Sequence, residues 1–228
     1  MSEMEYEKRS FIGQVVSCPI APGRTFRSIL ERPSLLRATM IILVIAIVAA
    51  WASYNYAGKL FIFSKFEQAL RAPRAPPTIG VPTGQAFTIL SATVEFVGVF
   101  MAWVIGAALL HAFSKALRGD GSYKNILTLV GYASVPLLIQ HSLRLIDSVI
   151  ASPEALLIVR EMRLPGYSPL SMIVNAALDA FTIFRLWVMI LFAFAVRENY
   201  KLSMGKSVAV AVATYIGMIF LSAFLPLQ

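Results

Sequence analysis

Residues 35–57 read LLRATMIILVIAIVAAWASYNYA, from Leu35 to Ala57, and Arg37 is the one charge among them. A helix needs about 20 apolar residues, each rising about 1.5 Å, to cross a hydrocarbon layer. This run is long enough, and it is continuous rather than alternating, so it predicts a membrane-spanning helix and not a barrel strand. Four more runs follow. The second covers about Ala86 to Ala112 around Glu95, and the third about Ile126 to Ala151, with Gln140, His141, Arg144 and Asp147. The fourth, about Ser171 to Val196, carries Asp179 and Arg185, and the fifth, about Val208 to Leu225, is uncharged.

Composition agrees. Of 228 residues, 58% are hydrophobic and 14% charged, against about 45–50% and about 25% in ordinary soluble domains. Lipid is needed to cover that surplus. The expected fold is an all-α integral membrane protein with five transmembrane helices and short amphipathic interfacial helices. Residues 1–34 form a cytoplasmic N-terminal segment and 35–228 one transmembrane domain. The acidic start, Met1-Ser2-Glu3, and the length of the first run argue against a cleaved signal peptide.

The net charge of +8 is read through topology. With the N-terminus inside, twelve lysines and arginines flank the inner ends of the spans and six the outer ends. The positive-inside rule then predicts a multi-pass protein of the cell (inner or plasma) membrane, N-terminus cytoplasmic and C-terminus outside. The basic rim would face anionic headgroups. No basic stripe with interleaved aromatics points to nucleic acid. The expected partners are the lipid bilayer and a membrane protein or a second copy of the chain.

Three segments outside the spans read as interfacial. Pro22 to Pro33 is a short helix pattern with Phe26, Ile29 and Leu30 on one face and arginines at its edges. Leu60 to Leu70 is amphipathic and either lies flat or extends the first span. Glu154 to Met162 reads as a third surface helix.

Chemistry-bearing groups are few. Two histidines, His111 and His141, and one cysteine, Cys18, make no metal set. No cofactor-binding or nucleophile motif occurs, so no enzyme and no cofactor is expected. His111 reads as interfacial. Cys18 reads as an inert thiol rather than an S-acylation site.

The intramembrane polar residues are the sharper signal, since each is costly in lipid. Glu95 shares a helical stripe with Gly98, Ala102 and Gly106, a small-residue seam that admits another helix. Gln140, Arg144 and Asp147 share a face of the third span, and Arg144 and Asp147 can pair one turn apart. His141 lies to one side. Asn175 and Asp179 share a face of the fourth span, with Arg185 at its edge. These eight residues form either a polar pathway or compensating pairs that fix helix register. The first reading makes the protein a transporter, channel or accessory permease subunit. The second makes it a membrane-organising or trafficking-like protein, or a partner in a membrane complex.

Three segments resemble the Yip family of five-helix membrane proteins, named for interaction with Ypt/Rab GTPases. They are Pro22-Gly23-Arg24-Thr25-Phe26 through Arg32-Pro33-Ser34; Gly119-Asp120-Gly121-Ser122 with Gly131-Tyr132-Ala133-Ser134-Val135-Pro136; and Arg185-Leu186-Trp187 through Gly205-Lys206-Ser207. The Asp-Leu-Tyr-Gly-Pro motif of the eukaryotic branch is absent, so the resemblance is to prokaryotic-type members. It implies five transmembrane helices and a cytoplasmic N-terminus. Beside it, Gly119 and Gly121 predict a tight turn, Pro136 a freed carbonyl inside the third span, and Gly205 the break between the fourth and fifth.

Overall fold

The computed structural model describes residues 10–71, 84–152 and 169–224, and every regular element among them is a helix. In chain order these are α1 (Phe11–Ser17), α2 (Pro22–Glu31), α3 (Leu35–Arg71), α4 (Gly84–Ala116), α5 (Tyr123–Ala133), α6 (Val135–Ile150), α7 (Pro169–Ala180), α8 (Ile183–Tyr200) and α9 (Met204–Phe224). Four spans are long and apolar enough to cross a membrane: Leu35–Ile62, Gly84–Ala116, Tyr123–Ile150 and Met204–Phe224. The bent pair α7–α8 makes a fifth when its two helices are counted as one span. Leu36, Trp51, Ile146, Ile150 and Phe220 stand at least half exposed on these helices, an apolar exterior that suits lipid and not water.

The fourth span departs from expectation. It is not one helix from Ser171 to Val196 but two pieces meeting at 80°. The Thr182 hydroxyl accepts the Arg185 N–H at 3.3 Å, capping the start of α8. Meanwhile the Phe181 N–H closes the end of α7 on the Ala177 carbonyl. The eighteen residues of α8 rise about 27 Å, close to the hydrocarbon thickness of about 30 Å. Arg185, Arg197 and Glu198 fall within it, however, and α8 qualifies as a crossing only together with α7.

The third span begins at Tyr123, earlier than expected, and is divided at Ser134, with Pro136 in the first turn of α6. Pro136 has no N–H for the Tyr132 carbonyl. The Cys18 thiol donates to that carbonyl instead, at 3.5 Å. Cys18 is fully buried, and burial pushes its thiol pKa up, which disfavours the nucleophilic thiolate. The protein in mild detergent is expected to resist maleimide at pH 8 and to label fully once unfolded in dodecyl sulfate. Fast labelling of folded protein would contradict this burial.

Leu60–Leu70 extends the first span, because α3 runs unbroken for 37 residues. Pro73 to Pro82 and the expected helix Glu154–Met162 lie outside the described residues. α1 has no counterpart in the sequence reading. It places Phe11 edge-on to Tyr132, with centroids 6.3 Å apart, and Gln14 Oε1 accepts the Tyr132 hydroxyl. In α2 the apolar face points into protein: Phe26 is fully buried and Ile29 nearly so. α2 packs on α8, and Arg27 pairs with Glu198 at 3.2 Å.

The bundle end carrying α1 and α2 is closed by a dense core. Cys18, Phe26, Ile126, Leu129, Tyr132 and Tyr200 are each at most 1% exposed. The Asp120 N–H donates to the Tyr200 carbonyl at 3.1 Å, and Asn199 Nδ2 to the Ser122 carbonyl at 3.0 Å. These bonds fasten the α4–α5 turn to the end of α8. Here the two loop glycines do something other than expected. Neither has the positive φ of a tight turn. A Cβ on Gly119 would stand 2.8 Å from Tyr200 Cβ, and one on Gly121 2.6 Å from the Asn199 carbonyl oxygen. Close approach requires them. The left-handed positions are Arg118 and Lys201. Gly205 likewise does not break the chain: it lies in the first turn of α9, and α8 ends at Lys201, with φ 56°.

Candidate functional site

The polar stretch of α3 from Asn55 to Lys59 organises the far end of the bundle. Asn55 Nδ2 donates to Ser148 Oγ at 3.2 Å. The Tyr56 hydroxyl donates to the Asp147 carboxylate. Lys59 Nζ donates to the Val149 and Ala151 carbonyls at 2.8 and 2.6 Å. Those carbonyls are at the C-terminus of α6, where helix geometry leaves acceptors unpaired and the dipole favours a cation.

One turn deeper, Arg144 Nη1 donates to Glu95 Oε1 at 2.8 Å, joining α6 to α4. The expected pairing of Arg144 with Asp147 gives way to this bridge. Glu95 points into the bundle and is 5% exposed, whereas the side chain of Arg144 is 38% exposed. The Arg144 guanidinium also lies over the Tyr56 ring, 5.8 Å from its centroid. Thr182, at the α7–α8 bend, donates to Gln140 Oε1 at 3.2 Å.

Below this layer is a cavity of about 160 Å³ bounded by α3, α4, α5, α6, α8 and α9. Its walls are mainly apolar and include Ile45, Val99, Trp103, Leu137, Phe192 and Met218. Glu95, Ser134, His141, Arg185, Tyr215 and Ser222 supply its polar groups. His141 is 6% exposed, and its Nδ1 has no hydrogen-bond partner among the described residues. Arg144 and Arg185 act electrostatically on His141, and Tyr215, Asp179 and Glu95 on Arg185. Among the described residues, no three His, Cys, Asp or Glu side chains are grouped to hold a metal.

The eight polar residues therefore separate. Glu95, His141 and Arg185 line the cavity. Gln140 and Arg144 tie helices beside it. Asp147 is exposed and held by Tyr56. Asn175 and Asp179 are on α7, across the bend, partly buried. Sequence reasoning passed over Asn55, Tyr56, Lys59 and Tyr215. The first three had a signal, since Asn55, Tyr56 and Lys59 interrupt the end of an apolar run.

The small-residue seam also behaves differently from expectation at its end. Ala102 and Gly106 line the cavity, and a Cβ on Gly106 would meet nothing within 4 Å. Glycine inside a helix costs about 0.5–1 kcal/mol relative to alanine. Gly106→Ala is therefore expected to raise stability by about that amount, read as a higher Tm in detergent. A fall in Tm would mean that the seam packs against another helix.

Comparison with known proteins gives one family and one relative. The Yip1 domain model matches residues 17–225. An uncharacterized protein of Methanocaldococcus jannaschii is 28% identical over 119 residues, covering 50% of this chain and 74% of the relative. No solved structure matches the chain.

Proposed function

The chain belongs to the Yip1-domain family, and from that premise we propose a non-enzymatic, multi-pass membrane protein that organises its membrane or serves as a partner in a membrane complex. The observation that carries this reading is the dense core at the α1–α2 end, where Phe26, Tyr132 and Tyr200 are at most 1% exposed. The ionic groups beyond it are engaged in holding helices together: Arg144 with Glu95, Tyr56 with Asp147, and Lys59 with the end of α6. The α1–α2 end also gathers Arg24, Arg32, Lys115, Arg118, Lys124 and Lys201, all exposed. Facing anionic headgroups, that end would be cytoplasmic, and the C-terminus would lie outside. The membrane is the cell membrane in this reading. Purification in mild detergent is expected to retain a membrane-protein partner or a second copy, and proteoliposomes to show no proton or ion flux above empty vesicles. Robust flux without any partner would reverse the assignment.

A second reading, a carrier or permease subunit, has one observation in its favour. The broken helix α7–α8 places Arg185, just past the break, on the wall of a mainly apolar cavity. Non-helical backbone at membrane depth is tolerated where it is buried in protein or lines such a space. The same flux measurement decides between the two readings.

A further inference from the structure

The cavity has a composition that the helix-organising role does not require. If its polar groups served packing alone, they would be satisfied by one another. His141 is not: it is 94% buried by residue surface, and its Nδ1 is unpartnered among the described residues. A buried imidazole nitrogen without a hydrogen bond is costly, so its place on a cavity wall points to a guest with an acceptor or donor of its own. Next to it are the Arg185 guanidinium and the Tyr215 ring. Arg185 has five N–H donors, in a fork geometry that matches carboxylate.

The wall also carries Ser134, Ser222 and Glu95, whose carboxylate is held by Arg144, and is otherwise apolar, with Ile45, Val99, Trp103, Leu137, Phe192 and Met218. Ligand sites typically combine such walls with a few convergent polar groups. Size narrows the class. An apolar cavity of about 150 Å³ accepts a benzene-sized guest, and this one is about 160 Å³. It therefore holds a headgroup and a few carbons, not a whole lipid.

We propose that this cavity binds a monocarboxylate with an apolar body, its carboxylate toward Arg185 and His141 and its apolar portion along Trp103 and Phe192. The shared chemistry fits either a small free acid or the head of a fatty acid whose chain continues into the bilayer. The site needs no transport to act, so it stands apart from both readings of function.

Trp103 is a built-in reporter, since it lines the cavity and is fixed by its indole N–H donating to the Leu127 carbonyl at 2.9 Å. The test uses the full chain in detergent with Trp51→Phe and Trp187→Phe, leaving Trp103 as the one tryptophan of the three. The probe is 4-bromobenzoate, whose bromine quenches indole fluorescence on contact. Saturable quenching is expected, at least tenfold weaker for 4-bromobenzyl alcohol and for the Arg185→Gln variant. Gly106→Leu should abolish it while the protein stays folded, because a side chain there enters open space. An unbrominated fatty acid that competes assigns the site to the lipid; failure to compete assigns it to a small acid. Either outcome supports the site. Non-saturating quenching, equal quenching by acid and alcohol, or quenching that survives Gly106→Leu in a folded protein would overturn it as simple partitioning into the micelle.

Discussion

Gly131→Ala is expected to destabilise the protein by about 3 kcal/mol, the upper range for a methyl forced into a packed interior. A Cβ at this position would lie 2.7 Å from Ala38 Cβ, 3.1 Å from Ala38 Cα and 3.2 Å from the Ala38 carbonyl oxygen. Two of those atoms are backbone of α3, so no rotamer change relieves the clash. α3 and α5 must move apart, and with them the buried layer of Ile42, Leu129 and Tyr132. Unfolding by titrated dodecyl sulfate in mild detergent should show the loss. Ala38→Gly in the same chain removes the nearest of the three contacts and should recover about half, a coupling of at least about 1 kcal/mol. If Gly131→Ala were neutral, the two helices would not cross as closely as this geometry requires. The contrast with Gly106 is informative, because the same substitution there is expected to stabilise.

Those two glycines show what a sequence can and cannot carry. Both sit in helices, and nothing in their neighbours tells that one is pressed against a backbone and the other borders a void. The distinction belongs to a second helix. The spans themselves were legible because hydropathy is a one-dimensional quantity: Leu35 to Ala57 announces its solvent without reference to the rest of the chain. The prolines bounding α2 were legible for the same reason. The bend before Ile183 was not. No glycine or proline marks it, and Ala180-Phe181-Thr182 is as apolar as a continuous helix would be. A threonine hydroxyl that caps α8 while reaching Gln140 makes the turn, and that needs α6 to be in place. For the candidate site, periodicity put Glu95 inside the bundle and Arg144 on a polar face, but it could offer only intrahelical partners. Asp147 one turn away looked like the partner of Arg144, while the actual partner is 49 residues distant.

That bridge gives the other large effect, and an asymmetric one. Removing either partner of a buried ion pair leaves the other uncompensated, typically at about 3–5 kcal/mol. The two ends here differ in access to water: Glu95 is almost fully enclosed, and the Arg144 side chain is 38% exposed. Arg144→Leu leaves the carboxylate without its hydrogen-bonded partner among Val99, Trp103 and the other cavity walls, with Arg185 on the same wall as partial compensation, and about 3 kcal/mol, the low end of that range, is the expected cost. Glu95→Gln strands a guanidinium that can keep its place over Tyr56, extend toward the membrane surface, and still donate to the amide oxygen. About 1–2 kcal/mol is expected, discounted for that exposure. Glu95→Leu combined with Arg144→Leu removes both charges and should come within about 1 kcal/mol of the parent, since a well-packed apolar pair often replaces a buried bridge without loss. Chemical denaturation of the three variants in one detergent measures the pattern. Equal losses from the two single changes, or a double variant as weak as Arg144→Leu, would mean that the pair is not what joins α4 to α6. The restored double variant also separates structure from activity: if it folds like the parent yet loses a flux or a bound partner, Glu95 contributes more than register.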